Sequence, residues 1–183
     1  MGGRWIPRGA QIITGVFLAL IALLLASAVA ATEADRSQKK VLLIHVTAPL
    51  DKDTDKTALV FRVVAGALKK GHRVELFFDA GGVSSLKRGR WFGGHSTPLD
   101  RAMIAGQERT ELAALLGTTA DGIPDIYGSL LHFLKGRGVA VYVSRRALEF
   151  RGIGGDRYDH AAEPADEEKL LALLGEADAY LLY

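Results

Sequence analysis

Four short runs of apolar residues do most to limit what this chain can fold into: Val41–Val46 (VLLIHV), Arg73–Phe78 (RVELFF), 139–143 (VAVYV) and 179–183 (AYLLY). In most of them the apolar residues follow one another without a polar alternate. That is the pattern of strands buried on both faces of a parallel sheet. Between the first two runs, 57–70 is apolar over most of a helical circumference and meets Gly71. This predicts a helix with Thr54 or Asp55 as its cap. The three segments make a βαβ unit, and the turn Asp79-Ala80-Gly81-Gly82 follows it. Residues 84–106 read as a long loop with a short helix near 99–104. Two helices are expected at 107–116 and 125–137, separated by the break Gly122-Ile123-Pro124. A brief helix is expected at 146–150, and a clearer one at 164–175, opened by Pro164 with Asp166, Glu167 and Glu168 in its first turn. Strands alternating with helices give an α/β fold, three-layered α/β/α, on a mostly parallel sheet of about four to five strands.

The N-terminus reads as an address. Residues 1–11 carry Arg4 and Arg8 and no acid, 12–31 are almost wholly apolar, and Ala28-Val29-Ala30 suits signal peptidase. Basic, apolar and small in that order is a secretory signal peptide, here 1–31, with cleavage near Ala30 or Ala31. The alternative is an uncleaved anchor, since 12–31 is long enough to span a bilayer. Either way the domain at 41–183 lies outside the cytoplasm, periplasmic or secreted in the first case and held at the inner membrane in the second. The polar stretch 32–40 is a linker. Arg4 and Arg8 account for the whole formal charge of +2, so beyond residue 30 there are 21 basic and 21 acidic residues. That balance offers no electrostatic reason for nucleic-acid binding.

The chain has no cysteine. This excludes disulfides, thiolate metal sites, thiol nucleophiles and persulfides on the protein itself. Asp51-Lys52-Asp53-Thr54-Asp55 begins like a calcium loop, but Lys56 and Arg62 stand where Gly and Glu are required. His45, His72, His95, His132 and His160 show no paired metal-ligand spacing, so no metal and no cofactor are expected. Gly81-Gly82 reads as a turn, for want of a phosphate-binding glycine pattern. Lys87-Arg88-x-Arg90-Trp91 reads as a basic loop, with contact to an anion or a membrane headgroup as the alternative. The most informative stretch follows the third strand. Ser144 stands at a strand-to-helix turn, where parallel α/β sheets bind ligands, and Arg145, Arg146 and Arg151 lie close by. A small anion suits such a place; the bland reading is that Ser144 only caps the short helix. A serine nucleophile would need His45 or His132 to approach it in space, and the G-x-S-x-G elbow is missing.

In the order and spacing of its motifs, most of 40–183, the loop around 87–105 excepted, resembles the DsrE/DsrF-like family of sulfur-relay proteins, which includes TusD-type sulfurtransferase subunits. The features concerned are VLLIHVTAP, Leu68-Lys69-Lys70-Gly71-His72 before RVELFF, Asp79-x-Gly81-Gly82-Val83, and Ala-Leu-x-x-Arg-Gly at 147–152. The resemblance implies a compact α/β domain that forms homo-oligomers or assembles with related subunits. In the sulfur-carrying members a cysteine at a strand end holds the persulfide, and that position falls on Ser144. A hydroxyl cannot take the thiolate's role. The expectation is therefore an exported, non-catalytic binding or assembly protein associated with sulfur metabolism, taking a small anion near Ser144. Two alternatives stand beside it: an enzyme using Ser144, and a structural subunit of an envelope complex whose strand 179–183 packs across a subunit interface.

Overall fold

Val, Ile, Leu and Phe side chains dominate the strands, and such residues fit a pleated surface covered on both sides. In the computed structural model, which describes residues 39–89, 96–155 and 157–183, they form β1 (Val41–Val46), β2 (Arg73–Phe78) and β3 (Ala140–Ser144). Two shorter strands, β4 (Glu163–Ala165) and β5 (Ala179–Leu182), complete one sheet in the order β4-β3-β2-β1-β5. Every pairing is parallel; Val41 lies beside Arg73, Leu42 beside Ala179, Glu75 beside Ala140 and Tyr142 beside Glu163. The targeting segment 1–31, most of the linker, and Arg90 and Trp91 of the basic loop lie outside the described residues. Among the described residues no helix is long and apolar enough to cross a membrane.

The pleat divides the side chains between two faces. Ile44, Val46, Leu76, Phe78, Val141 and Val143 point into the main core. There they meet α1 (Thr54–Lys69), α2 (Gly106–Leu116) and α3 (Tyr127–Lys135) through Phe61, Leu112 and Leu130, all fully buried. Each such side chain contributes about 1.5–3 kcal/mol. On the opposite face Leu43, Phe77 and Ala165 pack with Leu173 of α5 (Glu167–Glu176). The third layer is thus thin. A six-residue helix, α4 (Arg145–Phe150), follows β3 directly.

Several elements depart from expectation in detail. Helix α1 starts at Thr54, because Asp53 is its cap: the Asp53 carboxylate accepts from the Lys56 amide at 3.1 Å. That bond, the largest contribution, and the nearby Lys56 charge hold the Asp53 carboxyl below its ordinary value. The helix closes as read, with Gly71 at φ +76° and the His72 amide bonded back to the Ala67 carbonyl at 3.0 Å. Pro164 does not open a helix. It lies in the edge strand β4, where a residue without an N–H is tolerated, and α5 begins at Glu167 behind the cap Asp166. Within 84–106, a 3-10 turn at Leu99–Arg101 stands where the short helix is expected, and another, Gly82–Leu86, runs into its start.

Candidate functional site

The carboxyl ends of β2 and β3 carry the site. After β2 the chain turns through Asp79-Ala80-Gly81-Gly82. The Asp79 amide bonds the Val46 carbonyl at 2.9 Å, and the Asp79 carboxylate accepts from the Ala80 amide at 2.7 Å. Ala80 adopts φ +44°, a left-handed conformation that a residue with a Cβ takes at a cost. Gly82 is required, because a Cβ there would collide with the Val46 carbonyl.

After β3, the buried Ser144 accepts the Ala147 amide on its Oγ at 3.2 Å, so the bland reading of this residue, a helix cap, is the geometry observed. Arg145, Arg146 and Arg151 then fan out from α4. Arg146 donates to Glu167 of α5 at 2.7 Å and lies over the Phe150 ring at 5.5 Å. The Glu167 hydrogen bond holds the guanidinium further above its ordinary value. Arg151 Nε donates to the Ala80 carbonyl at 2.8 Å. Among the described residues Arg145 has no hydrogen-bond partner and no carboxylate within 4.0 Å.

These elements enclose two contiguous cavities of about 540 and 610 Å³, which share Ser144, Arg146, Phe150, Asp166 and Glu167. Arg145 lines the first and Arg151 the second, so all four residues singled out in the sequence border one cleft. The sequence reading missed its other walls: apolar Phe77, Ala147 and Leu170, and the carboxylates of Asp79, Glu149, Asp166 and Glu167. Three arginines therefore face four carboxylates. The cleft is mixed in charge rather than cationic. Asp166 and Glu167 read in the sequence as first-turn acids of α5, which they are, and that role hid their place in the cleft. The adjacency of β2 and β3 would have brought in Asp79.

Neither histidine serves Ser144. His45 lies on β1, and β2 intervenes, which puts the two strands roughly 10 Å apart. Its ring is buried, with Nδ1 2.9 Å from the Tyr180 hydroxyl and Nε2 3.4 Å from the Asp79 carboxylate. His132 pairs instead with buried Asp159 at 2.8 Å. The Gly82 amide is spent on the Thr47 and Asp79 carbonyls, so the Gly81-Gly82 turn offers no anion cradle there. Lys87 bridges to Tyr158, and the Arg88 amide bonds the Arg157 carbonyl at 2.8 Å, which pins the start of the basic loop. Among the described residues no three His, Asp or Glu side chains converge as metal ligands do.

The fold is shared with solved structures. The chain is similar to the ychN protein from E. coli, at 16% identity with a TM-score of 0.50, over 80% of this chain and 100% of that one. It is also similar to MTH1491, a protein of unknown function from Methanobacterium thermoautotrophicum, at 15% identity with a TM-score of 0.52, over 79% and 100%. The fold is DsrE-like. No protein-family model and no curated protein sequence matches the chain. What the DsrE-like fold positions here is a strand-end cleft whose Ser144 oxygen already has a structural task.

Proposed function

We propose that this chain is an exported member of the DsrE/DsrF-like family that works as a non-catalytic binding or assembly protein associated with sulfur metabolism. It takes a small anion beside Ser144. The observation that carries the reading is the pair Arg145 and Arg151, which border one cleft with no carboxylate within 4.0 Å among the described residues. Such guanidinium groups suit oxyanions, which accept two parallel N–H bonds. Arg146 is spent on Glu167 and serves as a wall. With no thiol in the chain and the Ser144 hydroxyl engaged as a cap, persulfide transfer has no carrier atom.

Assembly with a second copy, or with related subunits, is supported by apolar side chains left in solvent around the thin layer. Leu171 of α5 is 68% exposed, Leu182 of the edge strand β5 62%, and Phe150 at the cleft 79%. Export rests on the basic, apolar and small order of 1–31. An intact mass lacking 1–30 or 1–31 supports it; retention of those residues turns the reading to the anchored form.

Calorimetric titration with thiosulfate and sulfite tests the ligand. We expect saturable heat that Arg145→Gln and Arg151→Gln each weaken. Absence of heat with both anions, where a control anion binder responds, removes the anion reading.

A further inference from the structure

We infer that the cleft takes a zwitterion, a small molecule carrying an ammonium as well as its anionic group, with an apolar body between or beside them. Free amino acids and aminosulfonates are the chemical class. The inference rests on the reading of this cleft as an anion site and narrows it.

Opposite charges that share a cavity ordinarily pair with each other. Asp79 and Arg151 both line the larger cavity, yet among the described residues no carboxylate lies within 4.0 Å of the Arg151 guanidinium. Each is held in place by Ala80 instead. The Ala80 amide donates to Asp79 Oδ1 at 2.7 Å, and the Ala80 carbonyl accepts Arg151 Nε at 2.8 Å. One residue, itself in the left-handed conformation, thus anchors both a negative and a positive group of the same cleft, which form no ion pair with one another. The two terminal nitrogens of Arg151 are left as an anion fork.

Behind Asp79 the second oxygen meets His45 Nε2 at 3.4 Å, a buried nitrogen with no hydrogen-bond partner. Each Asp79 oxygen thus has one protein contact, Oδ1 with the Ala80 amide and Oδ2 with His45, and a carboxylate with about four acceptor sites has capacity left for a donor. Arg146 feels the Asp79 charge but is committed to Glu167 at 2.7 Å and makes no ion pair with Asp79. An ammonium is the group that completes Asp79 from the cleft side. A plain anion would leave the carboxylate unpaired beside it and be repelled by Asp79, Glu149 and Asp166. Phe77, Ala147 and Leu170 form the apolar remainder of the wall and give a hydrocarbon body something to cover.

The test uses the full chain and matched probes: glycine, leucine, phenylalanine and taurine, with acetate and isocaproate as the amine-free counterparts and isoamylamine as the carboxylate-free one. We expect at least one amino compound to bind about tenfold or more tighter than its amine-free counterpart, the worth of one charge-assisted hydrogen bond. Asp79→Asn should erase that preference by weakening the amino compounds and, with one repelling charge gone, raising the affinity for the amine-free anions, while the amide oxygen still accepts from Ala80. Arg151→Gln should weaken amino compound and anion alike. If Asp79→Asn does not fold, the comparison of matched probes on the native chain still decides. Anions binding as tightly as the amino compounds overturn the zwitterion inference and leave the anion reading standing. Binding of isoamylamine alone, or of no probe, overturns the zwitterion inference, and the anion reading falls with it only if thiosulfate and sulfite also give no heat.

Discussion

Arg151 and Ala80 are joined by a single hydrogen bond of 2.8 Å, from the guanidinium Nε to the carbonyl oxygen, and this bond ties the far end of α4 to the turn that follows β2. The turn it reaches is the one place among the described residues where a residue other than glycine has positive φ. A left-handed alanine costs about 1–2 kcal/mol, and the bond helps to hold it.

Ala80→Gly should therefore stabilise the domain by roughly 0.5–1 kcal/mol, the relief of left-handed strain less the added entropy of a glycine in the unfolded chain. Ala80→Val, branched at Cβ, should destabilise by more than about 1 kcal/mol. Urea unfolding of both variants checks the pair, and a destabilised glycine variant would show that the turn is not strained.

Ser144→Ala should cost about 1 kcal/mol through loss of the α4 cap. Anion affinity should stay within about twofold, because the oxygen already accepts the Ala147 amide. Ser144→Asp should keep the cap and restore stability. A tenfold loss of anion binding in Ser144→Ala, at unchanged stability, would reverse the assignment of roles.

How much of this was legible in the residues depended on what each signal had to compete with. β1, β2 and β3 declared themselves as continuous apolar runs, since a central parallel strand has no solvent face to require polar residues. β4 did not, because Glu163-Pro164-Ala165 has no apolar run and its proline imitates a helix start. The cap of α1 was misplaced by one position or two because Asp53, Thr54 and Asp55 are all competent caps and only the fold chooses among them. At the cleft, three arginines clustered in sequence were easy to single out. Their opposing carboxylates come from the ends of other elements, so only the strand order brings them together.

Tyr127 is fully buried, its ring centroid 5.1 Å from that of Phe61, and its hydroxyl donates to Glu108 at 2.5 Å. Burial first, then that hydrogen bond to a carboxylate, raise its phenol well above the ordinary value of 10. Because the folded value is the higher one, the contribution to stability is complete below about pH 10 and is lost as pH rises further. Tyr127→Phe should flatten that alkaline loss while lowering neutral-pH stability by about 1–3 kcal/mol, as Glu108 loses its donor. Unfolding curves of both proteins between about pH 8 and pH 11 give the difference, in which other alkaline groups such as Tyr183, raised by its own burial, cancel.

Leu171 and Leu182 stand in solvent on the thin side of the sheet. If they mediate assembly, Leu171→Asp should lower the molecular mass seen by sedimentation while changing monomer stability by no more than about 0.5 kcal/mol. An unchanged mass distribution would move the interface elsewhere.

Glu75 is buried on β2 and depends on Arg73, whose Nε lies 2.9 Å from its carboxylate while Nη2 reaches Glu176 of α5 at 2.5 Å. One arginine thereby fastens the end of α5 to the sheet, and one oxygen of Glu75 remains without a partner. The two partners should respond unequally to removal. Arg73→Ala leaves a buried carboxylate uncompensated, a loss that approaches 3 kcal/mol or more in a dry site and is reduced here by the half-exposed arginine, to about 2 kcal/mol. Glu75→Leu removes the buried charge and extends the apolar patch of Leu43, Phe77 and Leu173, so it should be neutral or stabilising. The double variant Arg73→Ala, Glu75→Leu should then recover most of what Arg73→Ala lost. Equal losses in both single variants would mean instead that the pair, and not the desolvated carboxylate, governs the stability of this layer.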